Sequence, residues 1–423
     1  MLSYMKRKLA ELRSCTSGNV LVLAGTGCFV LAGGVGLAVD TAQWYLWKRQ
    51  LQQAVDSGAL AAAHTLSQNG TNTYRTEGRD EITRNANGLT INVERLSNRP
   101  LVGGWFDDPG AVEVIATTTA ALPFSGLFMD AGVTVRSRAV ATAVARGENC
   151  IISLAGTGTG VTVQGTADVG AGCGVIANST DDEAIRLVGS SYLDANPISA
   201  VGNITADPSN YPANTAILPY GVASEDPVAA RNLSVPTVPA GCTQTNYRVA
   251  PSASRTISPG RYCGGMRVQG TVTMNPGVYI MDAGDFFVAS SARVVGNGVT
   301  IILTGSSAGN VANVDIRGGS DVQLHAPTSA QDSTWQGMLF FQDPNLGNNG
   351  ESKINGDSNL DLDGIVYMPN GDLTFNGSSG QYADCLFLVA ERVTFGGEAR
   401  LDNNCPIEYS DLDFQNYRIA LVE

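Results

Sequence analysis

Asp361 and Asp363, in the run LDLDG, have the spacing best suited to chemistry. On a β-strand, positions i and i+2 share a face and stand about 7 Å apart. Glycoside hydrolysis uses two carboxyls roughly 5–9 Å apart around one bond. The pair is therefore a candidate carboxylate patch, catalytic or calcium-binding. The competing reading is an outward, solvated row on an acidic protein. Asp315 and Asp321 lie in another coil, with Arg317 between them, and Asp411 and Asp413 repeat the same spacing outside the repeat, which weakens any special meaning. A serine-hydrolase pattern (G-x-S-x-G) occurs once, as GSSAG at 305–309, with Ser307 in the nucleophile position. No helical pattern follows it, so the strand–turn–helix elbow that exposes such a serine is missing. The two histidines are His64 and His325, and no CxxC occurs, so a zinc site has too few ligands at useful spacing. Gly-rich GTGTG (156–160) lacks the Lys-Ser/Thr that would make it a phosphate loop. Tyr211, Tyr220 and Trp335 fall in loop-like sequence, where an aromatic ring serves packing more often than sugar binding. No catalytic residue, cofactor or metal is expected.

Charge and cysteine use place these residues outside the cytoplasm. The chain of 423 residues carries a net charge of −13, which disfavours generic nucleic-acid binding. Charged residues are only 15 %, and Gly numbers 49, with no three-residue period. The basic residues cluster at the start, as Lys6, Arg7, Lys8 and Arg13, and a single lysine, Lys353, follows Lys48. Residues 20–39 hold no charge. As a helix they measure about 30 Å, the thickness of a bilayer core. The basic flank assigns the N-terminus, residues 1–19, to the cytoplasm. Trp44, Tyr45 and Trp47 follow where an interfacial aromatic belt belongs. A cleaved signal peptide is the alternative, but its apolar run is usually about 7–15 residues. Six cysteines lie beyond the membrane run, and an even number in an exported chain reads as disulfides. Similar spacing within successive pairs favours Cys150–Cys173, Cys242–Cys263 and Cys385–Cys405, among fifteen conceivable pairings.

The long second part repeats a short motif: apolar strand, Gly, strand. It reads VTVQGTADV (161–169), IRLVGSSYL (185–193), MRVQGTVTM (266–274), VDIRGGSDVQL (314–324), SKINGDSNLDL (352–362), LTFNGSSGQY (373–382) and VTFGGEARL (393–401). A period near 20–26 residues with Gly and Asn at corners predicts a right-handed parallel β-helix over 149–423, with a β-sandwich as the alternative. The glycines are expected at corners that need positive φ. Each expected disulfide then spans about one coil. A Pro-rich excursion interrupts the coils near 206–259, and the tail, ending in IALVE, is read as a strand capping the stack.

Between anchor and body, residues 38–66 continue as one helix-forming run, followed by strand-like runs at 90–93, 111–121 and 133–144. Here the order GNV (18–20), apolar run, GLAVD (36–40) and LQQAVDSGALAAA (51–63) resembles the N-terminal module of TadE/TadG-like proteins of the bacterial tight-adherence (Tad, or Flp) pilus systems. The resemblance is strongest over 13–66 and looser to about 146. Ser57-Gly58 stands where two alanines are usual, and neither the prepilin glutamate nor a von Willebrand-type DxSxS motif is present. It implies a pilin-like α/β module over 40–148 and a single-pass protein of the inner membrane, its body periplasmic or carried to the cell surface. It implies a non-enzymatic minor pilus component or assembly and adhesion factor. The implied partners are other Tad/Flp assembly subunits, the membrane, and a surface polysaccharide or another envelope protein, with no nucleic acid. Asp40, Gln52 and Asp56 are the candidate contacts on the assembly helix; the competing reading leaves the two acids facing water. The alternative function is an envelope-tethered β-helix enzyme or binding protein acting on polysaccharide.

Overall fold

The computed structural model describes residues 18–69, 73–129, 132–237, 241–347, 350–356, 360–377, 385–400, 412 and 414–423. The basic head and Cys405 lie outside these. Two units divide the chain, one of residues 1–143 with 419–423 and one of residues 144–418.

In the first unit, α1 (Gly18–Asn69) runs 52 residues without a break. At 1.5 Å per residue it is about 78 Å long, more than twice a bilayer core. Its first part is bare: Leu23, Phe29 and Val30 are all exposed. Its second part buries a face of mostly small residues, Leu51, Ala54, Val55, Ala59, Ala62 and Ala63. Against that face pack α2 (Tyr74–Arg84) and an antiparallel sheet of β1 (Ile91–Asn98), β2 (Val112–Ala120) and β3 (Val133–Ser153). Small side chains let the backbones approach closely. A Cβ on Gly58 would sit 2.9 Å from the carbonyl oxygen of Gly78 on α2 and overlap Ile82. Gly58 thus marks the crossing of the two helices.

Glu113 on β2 is wholly buried and accepts from Arg95 Nε at 2.8 Å and Arg138 Nε at 2.7 Å. Two guanidiniums on one carboxylate offset a desolvation cost of several kcal/mol. Arg138 also reaches Glu423 at 2.7 Å. Val140 exchanges backbone hydrogen bonds with residues 422 and 423, both 2.9 Å. The end of the tail therefore extends the sheet of the first unit, while Phe414 before it packs on the coils against Phe387.

The second unit is a parallel β-helix. Every strand pairing described within it is parallel, which removes the antiparallel sandwich. Each coil contributes short strands to three stacked faces. One face passes through Gly260–Val268, Gly277–Asp282, Val299–Thr304, Met338–Gln342, Leu360–Asn376 and Leu386–Phe395. Inward Val, Ile, Leu and Phe side chains form one continuous core. Aromatic rings stack along it from coil to coil, as in Tyr247–Tyr262–Tyr279 and Phe341–Tyr367. Burial, with a smaller contribution from Tyr247, pushes the Tyr262 hydroxyl up to about 12. That raised value adds stability below the ordinary tyrosine range, lost as pH climbs through 12.

Chain order and stacking order differ. Leu386–Phe395 pairs onward with the body's first strand, Leu388 to Ile151 and Ala390 to Ser153, and its second half with Val161–Gly165. The face then continues through Gly174–Ala177, Ile198–Ala200 and Ile217–Leu218. The first coils of the sequence thus extend the last. Ten successive parallel pairings, beginning with Gln244 opposite Tyr262, link eleven levels on this face among the described residues.

The segment between residues 218 and 244 must then return along the whole stack. Eleven levels at about 4.8 Å span roughly 48 Å. A helix of 25 residues would reach only about 37 Å, whereas extended chain at 3.1 Å per residue reaches about 78 Å. Pro219, Pro227 and Pro236 suit the extended form. The segment touches successively earlier levels. Ser224 exchanges hydrogen bonds with Asn178 at 2.8 and 2.9 Å, Asp226 accepts from Tyr367 Oη at 2.6 Å, and Arg231 donates to Gln336 O at 2.7 Å. Val228 enters the core beside them. Disulfide Cys242–Cys263 ties the end of the return to the next coil, and Cys150–Cys173 links adjacent coils, with Cα separations of 5.7 and 5.8 Å. Cys385 is disulfide-bonded as well.

The repeat glycines divide by role. Gly165 and Gly189 have φ of 72° and 78°, and they pair on adjacent levels. Gly296 instead lies inside the strand Arg293–Asn297, where a Cβ would press on Met274 and Leu324 at 3.1 and 3.2 Å. Space, not backbone conformation, selects glycine there.

Two substitutions test these contacts. Gly58→Ala forces α1 and α2 apart and is expected to cost about 1–3 kcal/mol, read as a lowered unfolding midpoint of the full chain. Tyr367→Phe removes the donor to Asp226 Oδ2, while Oδ1 keeps the amides of Val228 and Ala229. It is expected to cost about 1–3 kcal/mol and to speed proteolysis within residues 219–243 while the coils stay resistant.

Candidate assembly helix and the acidic rows of the body

The projecting half of α1 holds the three residues singled out for assembly contacts. Asp40 is buried, with 4 % of its surface exposed. Its two carboxylate oxygens accept from the backbone N–H groups of Phe124 and Ser125, both at 2.7 Å, and from the Ser125 hydroxyl. Burial opposes ionisation here, yet the Ser125 hydroxyl and the two amides outweigh it and hold the carboxyl below its usual range. Asp40 is thus neither water-facing nor available to another subunit. It closes the turn between β2 and β3 onto the helix.

Gln52 and Asp56 act together. Gln52 Nε2 donates to Asp56 Oδ1 at 2.7 Å and to Arg138 O on β3 at 3.0 Å. One turn earlier, Lys48 Nζ donates to Arg136 O at 2.5 Å and Ser137 Oγ at 3.1 Å. These polar groups fasten β3 along the helix. Beyond Asp40, α1 leaves three large apolar or aromatic side chains exposed, Trp44, Tyr45 and Leu46, beside polar Thr41, Arg49 and Gln53.

On the body, Asp361 and Asp363 both point outward from the strand Leu360–Asn376, alternating with buried Leu360 and Leu362. In register they lie opposite Gln323 and His325 of the adjacent coil. Asp361 Oδ2 stands 3.1 Å from His325 Nε2. Neighbouring outward acids are matched in the same way. Arg293 pairs with Asp321, Arg317 with Asp315 at 2.7 Å, Arg261 with Asp282 at 2.8 Å and Lys353 with Glu351 at 2.8 Å. Arg293–Asp321 and Arg261–Asp282 join adjacent coils, while Arg317–Asp315 and Lys353–Glu351 are two residues apart in one coil, so the rows read as local pairing of opposite charges.

Ser307 caps the short turn Ala308–Asn310, and Asn310 Oδ1 accepts from its backbone N–H at 2.9 Å. It is a corner serine. His325 ends the strand Asp321–His325. Among the described residues, no group of three or more His, Cys, Asp and Glu side chains could hold a metal ion. An open cleft is lined by Gly158, Thr159, Thr180, Asp181, Asp182 and Glu183. Asp181 there accepts from Gly158 N at 2.9 Å, which closes a corner of the coil.

The part of the chain with a recognisable relative is α1 itself. Residues 18–65 match the family model for putative Flp pilus-assembly TadE/G-like proteins. This segment is TadE/G-like. The match covers the apolar run, Asp40, Gln52 and Asp56, and ends before the sheet. No curated protein and no solved structure matches the chain.

The role of Asp40 is testable by hydrogen exchange. In Asp40→Ala, peptides covering residues 121–129 are expected to lose protection while those covering β2 keep it. Since the carboxyl is held low, the wild-type turn should stay protected above pH 3.8, the ordinary aspartate value, and loosen only as pH falls below it.

Proposed function

We propose that the protein is a membrane-anchored, non-catalytic component of Flp (Tad) pilus assembly. The TadE/G-like segment over residues 18–65 carries this reading. The bare apolar run at the start of α1 is long enough to cross the inner membrane once. Lys6, Arg7, Lys8 and Arg13 favour a cytoplasmic N-terminus. The disulfides fit a body outside the cytoplasm, either periplasmic or displayed at the surface. Within the complex, the exposed Trp44–Tyr45–Leu46 stretch offers α1 an apolar surface for other Tad subunits. The β-helix acts as a rigid arm whose ligand is an envelope protein or surface polysaccharide. A binding role suits it better than turnover, because Asp361 is matched with His325 instead of facing a second carboxylate across a cleft.

A deletion strain complemented in two ways tests the proposal, with surface pili counted by electron microscopy. Loss of pili, restored only by the full chain, is the expected result. Restoration by residues 1–148 would reduce the body to an accessory. Unchanged pili in the deletion would remove the assembly role.

A further inference from the structure

The turn between β2 and β3 is built against the membrane end of α1, and its surface is wrong for water. Residues 127–129 are Leu, Phe and Met, exposed by 75 %, 76 % and 59 %. Three adjacent bare apolar side chains at a turn tip need an apolar environment.

The position of the turn is fixed at two points. Asp40 holds the amides of Phe124 and Ser125 at 2.7 Å. One helical turn earlier, the Phe124 ring lies over Gly36, where any Cβ would overlap it. Gly36 lies within the uncharged run, three residues before its end. At 1.5 Å per residue that is about 5 Å inside the apolar segment. Amphipathic elements that lie in a membrane interface bury their apolar side about 5–10 Å deep. On the helix itself, Val35, Leu37 and Val39 are exposed at the same level.

The direction of the sheet agrees. Moving along β3, Arg136 O meets Lys48 and Arg138 O meets Gln52, so the strand climbs away from Asp40 as the helix does. The β2–β3 turn is the end of the sheet nearest the apolar run. The opposite end of β2 also bears exposed apolar residues, Leu101, Val102 and Phe106. Nine residues of strand put them about 30 Å farther along.

We infer that residues 122–129 form a second membrane contact, with Leu127, Phe128 and Met129 inserted among the lipid headgroups and upper acyl chains beside the helix. Asp40 would be the latch that holds this wedge at its depth. The inference rests on α1 being a membrane anchor. Lipid is the occupant because the patch continues the bare apolar surface of a helix long enough to span a bilayer.

Site-directed spin labelling of the full chain in phospholipid vesicles tests it. Single cysteines replace Phe128, Phe29 in the apolar run, or Phe106 at the far end of β2, with Cys15 and Cys28 changed to Ser. Accessibility is read as collision with oxygen, which concentrates in lipid, against a water-soluble nickel chelate. The expected result is a label at 128 that favours oxygen, as at 29, while 106 favours nickel. A label at 128 behaving like that at 106 overturns the wedge and leaves the anchor standing. Shielding of 128 from both reagents overturns it in favour of a protein contact. If the label at 29 also favours nickel, the anchor itself fails. In Asp40→Ala, the label at 128 is expected to shift towards nickel while that at 29 does not.

Discussion

A coil of three short strands cannot bury its own inward face; only the coils above and below can do that. The body obeys this rule through a pairing between distant parts of the chain. Leu386–Phe395 lies on residues 151–153 and 161–163, and Ser153 Oγ also donates to Glu391 O at 2.7 Å. Without that junction there would be two short stacks, each with an extra open end. With it there is one apolar column. The return segment is then a geometric necessity, and extended Pro-bearing sequence is the form that reaches far enough.

Much of this architecture is legible in the sequence, for physical reasons. Alternation around Gly at a period of one coil identifies stacked short strands, and the prolines identify the interruption. The order of the coils is not legible. Every inward face obeys the same apolar rule, so nothing local distinguishes a coil that meets its sequence neighbour from one that meets a coil far away. The tail reads as a strand, but its partner at Val140 does not. The glycines are overread as corners, because close packing and positive φ leave the same letter in the sequence.

The helix shows the same division. Its length, its apolar run and its small-residue face are visible in the residue types. Asp40 appears as a carboxylate on a helix, and its partners lie 84 and 85 residues away in a turn whose pairing no local pattern announces. Gly58 looks like a weakened helix former until α2 is seen crossing it. In each case the missing information is a contact between segments, and contacts of that kind give this module its shape. Function is legible only along α1, where the family match lies. The family match does not reach the body, where several outward acids are paired with basic groups.

The junction also has a meaning in time. Ser153 and the residue it bonds are 238 positions apart. A ribosome adding roughly 5–20 residues per second needs some tens of seconds to make that much chain. The first strand of the body to be made is one that finishes in the interior of the column. Until the later coils arrive, the earliest strands keep an open edge and bare valine and isoleucine. Folding of this protein therefore includes an interval in which that open edge must be kept from other chains.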